Sequence, residues 1–149
     1  MGTGANRLAV LRLVAGLALG WATSWVILTG GFALLRASWP AYALADPEKA
    51  YTLPMLFIRL LIFSSMIAAT SGVATLVAGD KRIAWIAGGL ILAVSIPSHL
   101  YPGYVWEDYP AWYHIAYLVS ILPIAVFAGQ LVRRLFPEAS LEASAAHHS

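Results

Sequence analysis

Cysteine is absent from the whole chain, which excludes disulfides, thiol redox chemistry and thiolate metal sites. Charge is scarce: charged residues make up 11% of the 149, against about 25% in an ordinary soluble domain. None of the acidic residues, Asp46, Glu48, Asp80, Glu107, Asp108, Glu138 and Glu142, falls inside a long apolar run. Proton-driven carriers usually place a carboxylate there, so that class loses its usual signature. Also missing are a Ser-His-Asp spacing, a phosphate-cradling glycine loop and an HExxH helix. An internal repeat of the kind transporters carry is not evident either.

What is abundant is apolar. Hydrophobic residues account for 60% of the chain and the mean hydropathy is +0.76. Four runs, about residues 8–35, 53–77, 83–100 and 113–132, each approach or exceed the roughly 20 residues needed to cross a bilayer as a helix. Lipid satisfies no backbone N–H or C=O, so the spans are helices or barrel strands. Continuous runs of this length exclude a barrel, whose strands alternate over about ten residues. The expected fold is all-α, a four-helix up-down-up-down transmembrane bundle occupying residues 1–136 as one domain. Residues 137–149 read as a short polar, disordered cytoplasmic tail, with His147 and His148 as part of it.

A secretory signal is the rival reading of the first run, with Ala43-Leu44-Ala45 as a cleavage site. The apolar stretch from Leu13 to Leu35 is too long for a signal core of about 7 to 15 residues, so the run is kept as a span. Asp46-Pro47-Glu48 reads as an N-cap with proline at the first helical position, so a helix is expected to open there, with Pro54 kinking or restarting it.

The net charge of +2 does not point to nucleic acid, because the basic residues sit at helix ends rather than in a patch. Arg7, Arg12, Lys81, Arg82, Arg133 and Arg134 fall on one side, whereas Arg36 and Lys49 fall on the other with most of the acids. Lys and Arg mark the cytoplasmic loops, which puts both termini in the cytoplasm. All tyrosines, from Tyr42 to Tyr117, then gather at the outer face.

Membrane helices associate through small residues. Gly16, Gly20, Thr23, Ser24, Gly30 and Gly31 make one stripe on the first span. Gly88, Ser95 and His99 share a face of the third, and His114, Ala125, Ala128 and Gly129 share a face of the fourth, so both histidines are expected to point inward. On the second span Arg59 lies opposite the small-residue side, with Phe63, Met66 and Thr70.

The chemistry concentrates in SHLYPGYVWEDYPAWYHIAY, residues 98–117, and at Arg59. An arginine within a span costs about 2.5–3.5 kcal/mol on insertion scales and calls for a partner. The candidates are Asp46, Glu107 and Asp108, all on the outer side; the alternative is a side chain that snorkels to the headgroups. The candidate ligand-binding set is Arg59, His99, Trp106, Glu107, Asp108, Trp112, His114 and Tyr117. Metal ligation by His99 and His114 with Glu107 or Asp108 lacks motif spacing, and haem would need the two histidines to face each other at matched depth. The bland reading of the aromatics is an interfacial belt. Against it, the glycine and prolines of YPGYVWEDYPAWY favour an ordered lid.

The Gly-rich first span, Leu53-Pro54 opening the second, and a last span reading Pro110-Ala-Trp112-Tyr-His114 with later Pro123 and Gly129 resemble small uncharacterised four-helix bacterial membrane proteins. The resemblance runs from about Leu11 to Arg134. It implies the fold and a bacterial inner membrane, and no activity.

The expectation is a non-enzymatic membrane protein without a cofactor, an accessory or interaction subunit. Its outer aromatic and polar surface would meet lipid headgroups, a partner membrane protein or a second copy. The alternatives are a carrier binding a small molecule or lipid at Arg59, His99 and His114, and a haem or metal redox protein using the two histidines.

Overall fold

A computed structural model describes residues 3–101 and 105–137. The expected tail beyond Pro137 lies outside the described residues, as does the Pro102-Gly103-Tyr104 part of the aromatic loop. Among the described residues the chain is all helical: α1 (Thr3–Ser38), α2 (Pro40–Glu48), α3 (Leu53–Ala78), α4 (Ile83–Leu100) and α5 (Ala111–Leu135). α1, α3, α4 and α5 are long and apolar enough to cross a membrane, as an integral membrane protein requires.

The four long helices follow the apolar runs, with α1 and α5 reaching a few residues beyond them. The short helix is a correction to the sequence reading. Asp46-Pro47-Glu48 does not open a helix but closes one: α2 starts at Pro40 and Pro47 lies inside its last turn. Pro40 takes a first-turn position, where a missing N–H costs nothing. Lys49 then enters the left-handed region at φ 56° and ends the helix. The following amide, Ala50 N–H, donates back to the Ala45 carbonyl at 3.1 Å, a Schellman-type closure. Pro54 stands in the first turn of α3 and starts that helix rather than kinking it.

α3 is central. It packs on α1, α5 and α4, and it buries both faces. Its Ser71, Gly72 and Thr75 side and its Met66 and Thr70 side are both out of reach of the surroundings. The two sides are closed by different neighbours. Gly16 and Gly20 of α1 lie so close to α3 that an added Cβ would stand 2.7 Å from the Ala74 carbonyl oxygen and 2.6 Å from that of Thr70. Gly129 of α5 sits against Thr75 and Ala84, and Gly88 of α4 against Ala125. These are the close backbone approaches that hold helices together where lipid removes the hydrophobic drive. Gly30, read as part of the stripe on α1, meets nothing within 4 Å and is not a packing residue.

Around these contacts lies a core of Met66, Ile67, Ile91, Tyr117, Ile121 and Ala125. A second cluster, Leu35, Tyr42 and Met55 with Phe32, Trp39 and Tyr51 beside it, joins α2 to the bundle at the aromatic end. That cluster positions the site described next.

Candidate functional site

Two polar clusters occupy the aromatic end. The first is built on Arg59, which α3 places on the side facing α1. The residue is 9% exposed and therefore needs internal partners. Its nearest carboxylate is Asp46: Nη1 donates to Asp46 Oδ1 at 3.2 Å. Nη1 also donates to the hydroxyls of Tyr42 and of Tyr51, the latter at 3.2 Å, while Nη2 donates to Tyr109 at 2.7 Å. Three rings sandwich the guanidinium, with its carbon 4.6 Å from the Phe32 centroid, 4.7 Å from Tyr51 and 5.2 Å from Tyr109. Such distances fall within the range in which a ring face attracts a cation. Only Nε lacks an acceptor.

Asp46 is the anionic hub of this cluster. Oδ1 accepts from Tyr51 at 2.6 Å and Tyr42 at 3.1 Å as well as from Arg59, and Oδ2 accepts from Arg36 at 2.8 Å. Burial alone would push this carboxyl up, but the hydrogen bonds from Tyr51, Arg36 and Tyr42 outweigh it and hold the group at about 2. Tyr42 and Tyr51 are shifted upward by burial, so both stay protonated and keep donating.

Local folding explains why these groups meet. Tyr42 and Asp46 are four apart on α2 and so share its inward face. The left-handed Lys49 turn then brings Tyr51 back beside the same carboxylate. Tyr109 arrives from the loop before α5 and stacks on Tyr51, ring planes 7° apart and centroids at 5.5 Å.

The second cluster joins α4 to α5. His99 Nδ1 and His114 Nδ1 lie 2.9 Å apart. His114 is fully buried, and its Nε2 lies 3.2 Å from the carbonyl oxygens of both Trp106 and Tyr109. Those oxygens only accept, so Nε2 carries a proton and donates. Trp106 stacks on the His114 ring at 4.7 Å, and His99 stacks on Tyr117 at 4.6 Å. Tyr117 in turn shares a hydrogen bond with Ser95 at 3.1 Å. Tyr109 links the clusters, its hydroxyl bonded to Arg59 and its carbonyl to His114.

The residues singled out in the sequence divide accordingly. His99, His114, Trp106 and Tyr117 come together in the second cluster, and Arg59 stands across Tyr109 from them. Glu107 is exposed and Asp108 half-buried; neither forms an ion pair with Arg59, whose partner is Asp46. Trp112 is 38% exposed and packs on the outward-turned Phe57. Asp46 is one of the partners the sequence offers for Arg59 but stands outside the candidate set, as do Tyr42, Tyr51, Tyr109 and Phe32. The four-residue spacing of Tyr42 and Asp46 was the available signal; the Lys49 turn had none.

No group of three or more His, Asp or Glu side chains that could hold a metal occurs among the described residues. A metal or haem iron between trans imidazoles would hold their nitrogens about 4 Å apart, twice a bond of about 2 Å. The 2.9 Å separation and the two carbonyls on Nε2 do not fit an axial pair. No family model, curated protein or solved structure matches the chain.

Proposed function

We propose that this chain is a small polytopic protein of a bacterial inner membrane, an up-down-up-down bundle with cytoplasmic termini, acting as a non-enzymatic accessory or interaction subunit. Its outward end is an ordered aromatic cap made of α2, the Lys49 turn and residues 105–110. The observation that carries this reading is the occupancy of Arg59: its terminal nitrogens already bond Asp46 and three tyrosine hydroxyls of the cap. An arginine waiting for an anionic ligand would keep its fork free. Here the fork fastens the cap to the bundle, and what the cap offers outward is its exposed rim of Leu44, Phe57, Tyr101 and Trp112.

The arrangement of helices supports the topology. Gly16 lies by Ala74 while Gly31 lies by Ile62, which is an antiparallel register of α1 on α3. Gly88 by Ala125 and His99 by His114 give the same for α4 and α5. Arg7, Arg12, Lys81, Arg82, Arg133 and Arg134 then share one end, and the positive-inside rule makes that end cytoplasmic. The bacterial setting rests on the resemblance described above.

Photo-crosslinking separates this reading from a carrier. With a benzophenone side chain at Leu44 or Trp112, native membranes are expected to give adducts with a protein or with lipid, and a benzophenone at Lys81 is expected not to give the same adducts. A thermal shift with a soluble anion or metabolite that disappears in Arg59→Leu would instead establish a ligand site and overturn the reading.

A further inference from the structure

We infer that the end of the bundle opposite the aromatic cap is a docking surface for anionic phospholipid. Its cations come from three separate segments: Arg12 of α1, Lys81 and Arg82 of the turn between α3 and α4, and Arg133 and Arg134 of α5.

Two glycine contacts place these segments. Gly16 of α1 stands against the end of α3, where an added Cβ would lie 3.4 Å from the Ala78 amide nitrogen. Gly129 of α5 stands against the first turn of α4, where an added Cβ would lie 2.5 Å from the Ala84 Cβ. Ala78 and Ala84 bracket the turn of residues 79–82. The antiparallel registers carry α1 and α5 onward from these glycines toward that turn. Arg12 and Arg133 are each one helical turn, about 6 Å, beyond their glycine, which sets both at its level. Leu13 and Leu17 of α1 also pack with Ile83 and Ala87 of α4, so α1 and α5 both flank the turn. The turn itself is fixed. Gly79 closes α3 at φ 73°, and Asp80 Oδ1 accepts from the Arg82 amide at 2.8 Å.

These cations have no internal counter-charge among the described residues. The ion pairs there are those of Arg36 and Arg59, and both use Asp46 at the other end. Asp80 caps a backbone amide and pairs with no side chain. Arg12 and Arg133 are half-buried, so their stems lie on protein and their charges are held in place. Counted along the sequence with Arg7, Asp80, Glu138 and Glu142, this side carries six cations and three acids.

The surface beside the cations selects a lipid. Trp85 in the first turn of α4 is exposed, as are Leu135 and Phe136 at the end of α5. An exposed indole at the start of a span marks the headgroup level, so the cations stand where phosphates lie. An anionic phospholipid meets both parts, its phosphate on the guanidinium and ammonium groups and its acyl chain along the apolar rim. Nucleic acid or an acidic protein would cover the charges and leave the rim bare. At the aromatic end Arg36 is already held by Asp46, which leaves Lys49 as the unpaired cation there among the described residues. The preference therefore belongs to one end, whatever the cap meets at the other.

Electron resonance of spin-labelled lipids reads this in the full chain reconstituted into phosphatidylcholine vesicles. Protein-associated and free probe are compared for phosphatidylglycerol and phosphatidylcholine labelled at the same acyl position. A preference of about fivefold for phosphatidylglycerol is expected at low salt, the equivalent of one basic residue acting at a charged headgroup. It should fall toward equality in about 1 M sodium chloride, where charges are screened within about 3 Å. The double substitution Arg82→Gln with Arg133→Gln should lower it in the same way at low salt. Association of the phosphatidylcholine probe shows that the variant still inserts and folds. Sodium phosphate should weaken the preference no more than sodium chloride of equal ionic strength. Equal association of the two lipids in the parent, a preference that high salt or the double substitution leaves intact, or one that phosphate removes where chloride does not, would each overturn the assignment.

Discussion

Arg59 of α3 and Asp46 of α2 are 13 residues apart in the chain and 3.2 Å apart in space, and the same carboxylate oxygen also accepts from Tyr42 and Tyr51. One ion pair thus gathers the short helix, the turn after it and, through Tyr109, the loop before α5. Removing either partner should loosen all three together.

Arg59→Met keeps the stem and deletes the fork. Asp46 retains Arg36, so the carboxylate is not orphaned, and the expected loss is about 2–4 kcal/mol, toward the lower side of breaking a buried pair. Arg59→Lys keeps the charge without the fork or the flat face between rings and should lose about 1–2 kcal/mol. Thermal unfolding in detergent checks the order parent, lysine, methionine. Equal midpoints for all three would contradict it.

Asp46→Asn tests the carboxylate by pH. The folded protein holds this group at about 2, below its ordinary 3.8. A depressed carboxyl stabilises above its unfolded value and loses that contribution as pH falls through the folded one. The variant should therefore be less stable than the parent by about 2 kcal/mol at neutral pH. The difference should shrink between about pH 4 and pH 2. A constant gap across that window would show that Asp46 does not act through its charge.

Gly20→Ala and Gly30→Ala test the α1 packing as a pair. At Gly20 the new Cβ would stand 2.6 Å from the Thr70 carbonyl oxygen, and backbone cannot step aside. A loss of about 1–3 kcal/mol is expected. At Gly30 nothing lies within 4 Å, so alanine should be neutral or stabilise by up to about 1 kcal/mol through helix propensity. Equal effects at both positions, read by the same unfolding assay, would mean that α1 does not dock on α3 through Gly20.

Much of this was legible from sequence because it follows from one-dimensional rules. Four apolar runs produced four long helices, since lipid allows few other forms. Gly88, Ser95 and His99 falling on one face, and His114 with Gly129 on another, already aimed both histidines into the bundle, though not at each other. Arg59 stood out because a charge in a span is costly. Its partner did not, because the choice among Asp46, Glu107 and Asp108 depends on how the segment between α1 and α3 folds. That fold turns on Lys49 adopting a left-handed conformation, which a lysine does not announce. The proline signal at Asp46-Pro47 misleads for a related reason: Pro47 is tolerated in the last turn of α2, and Pro40, not Asp46, marks the start of that helix.

The central claim is that Arg59 fastens an ordered cap to the bundle, and the absence of cysteine makes the direct measurement simple. Spin labels on single cysteines introduced at the exposed Leu44 and Glu107 report the distance between α2 and the loop before α5 by pulsed electron resonance in nanodiscs. A single narrow distance distribution is predicted for the parent, and a broad one for Arg59→Met. A broad distribution in the parent, or a narrow one that survives the loss of Arg59, would contradict the account.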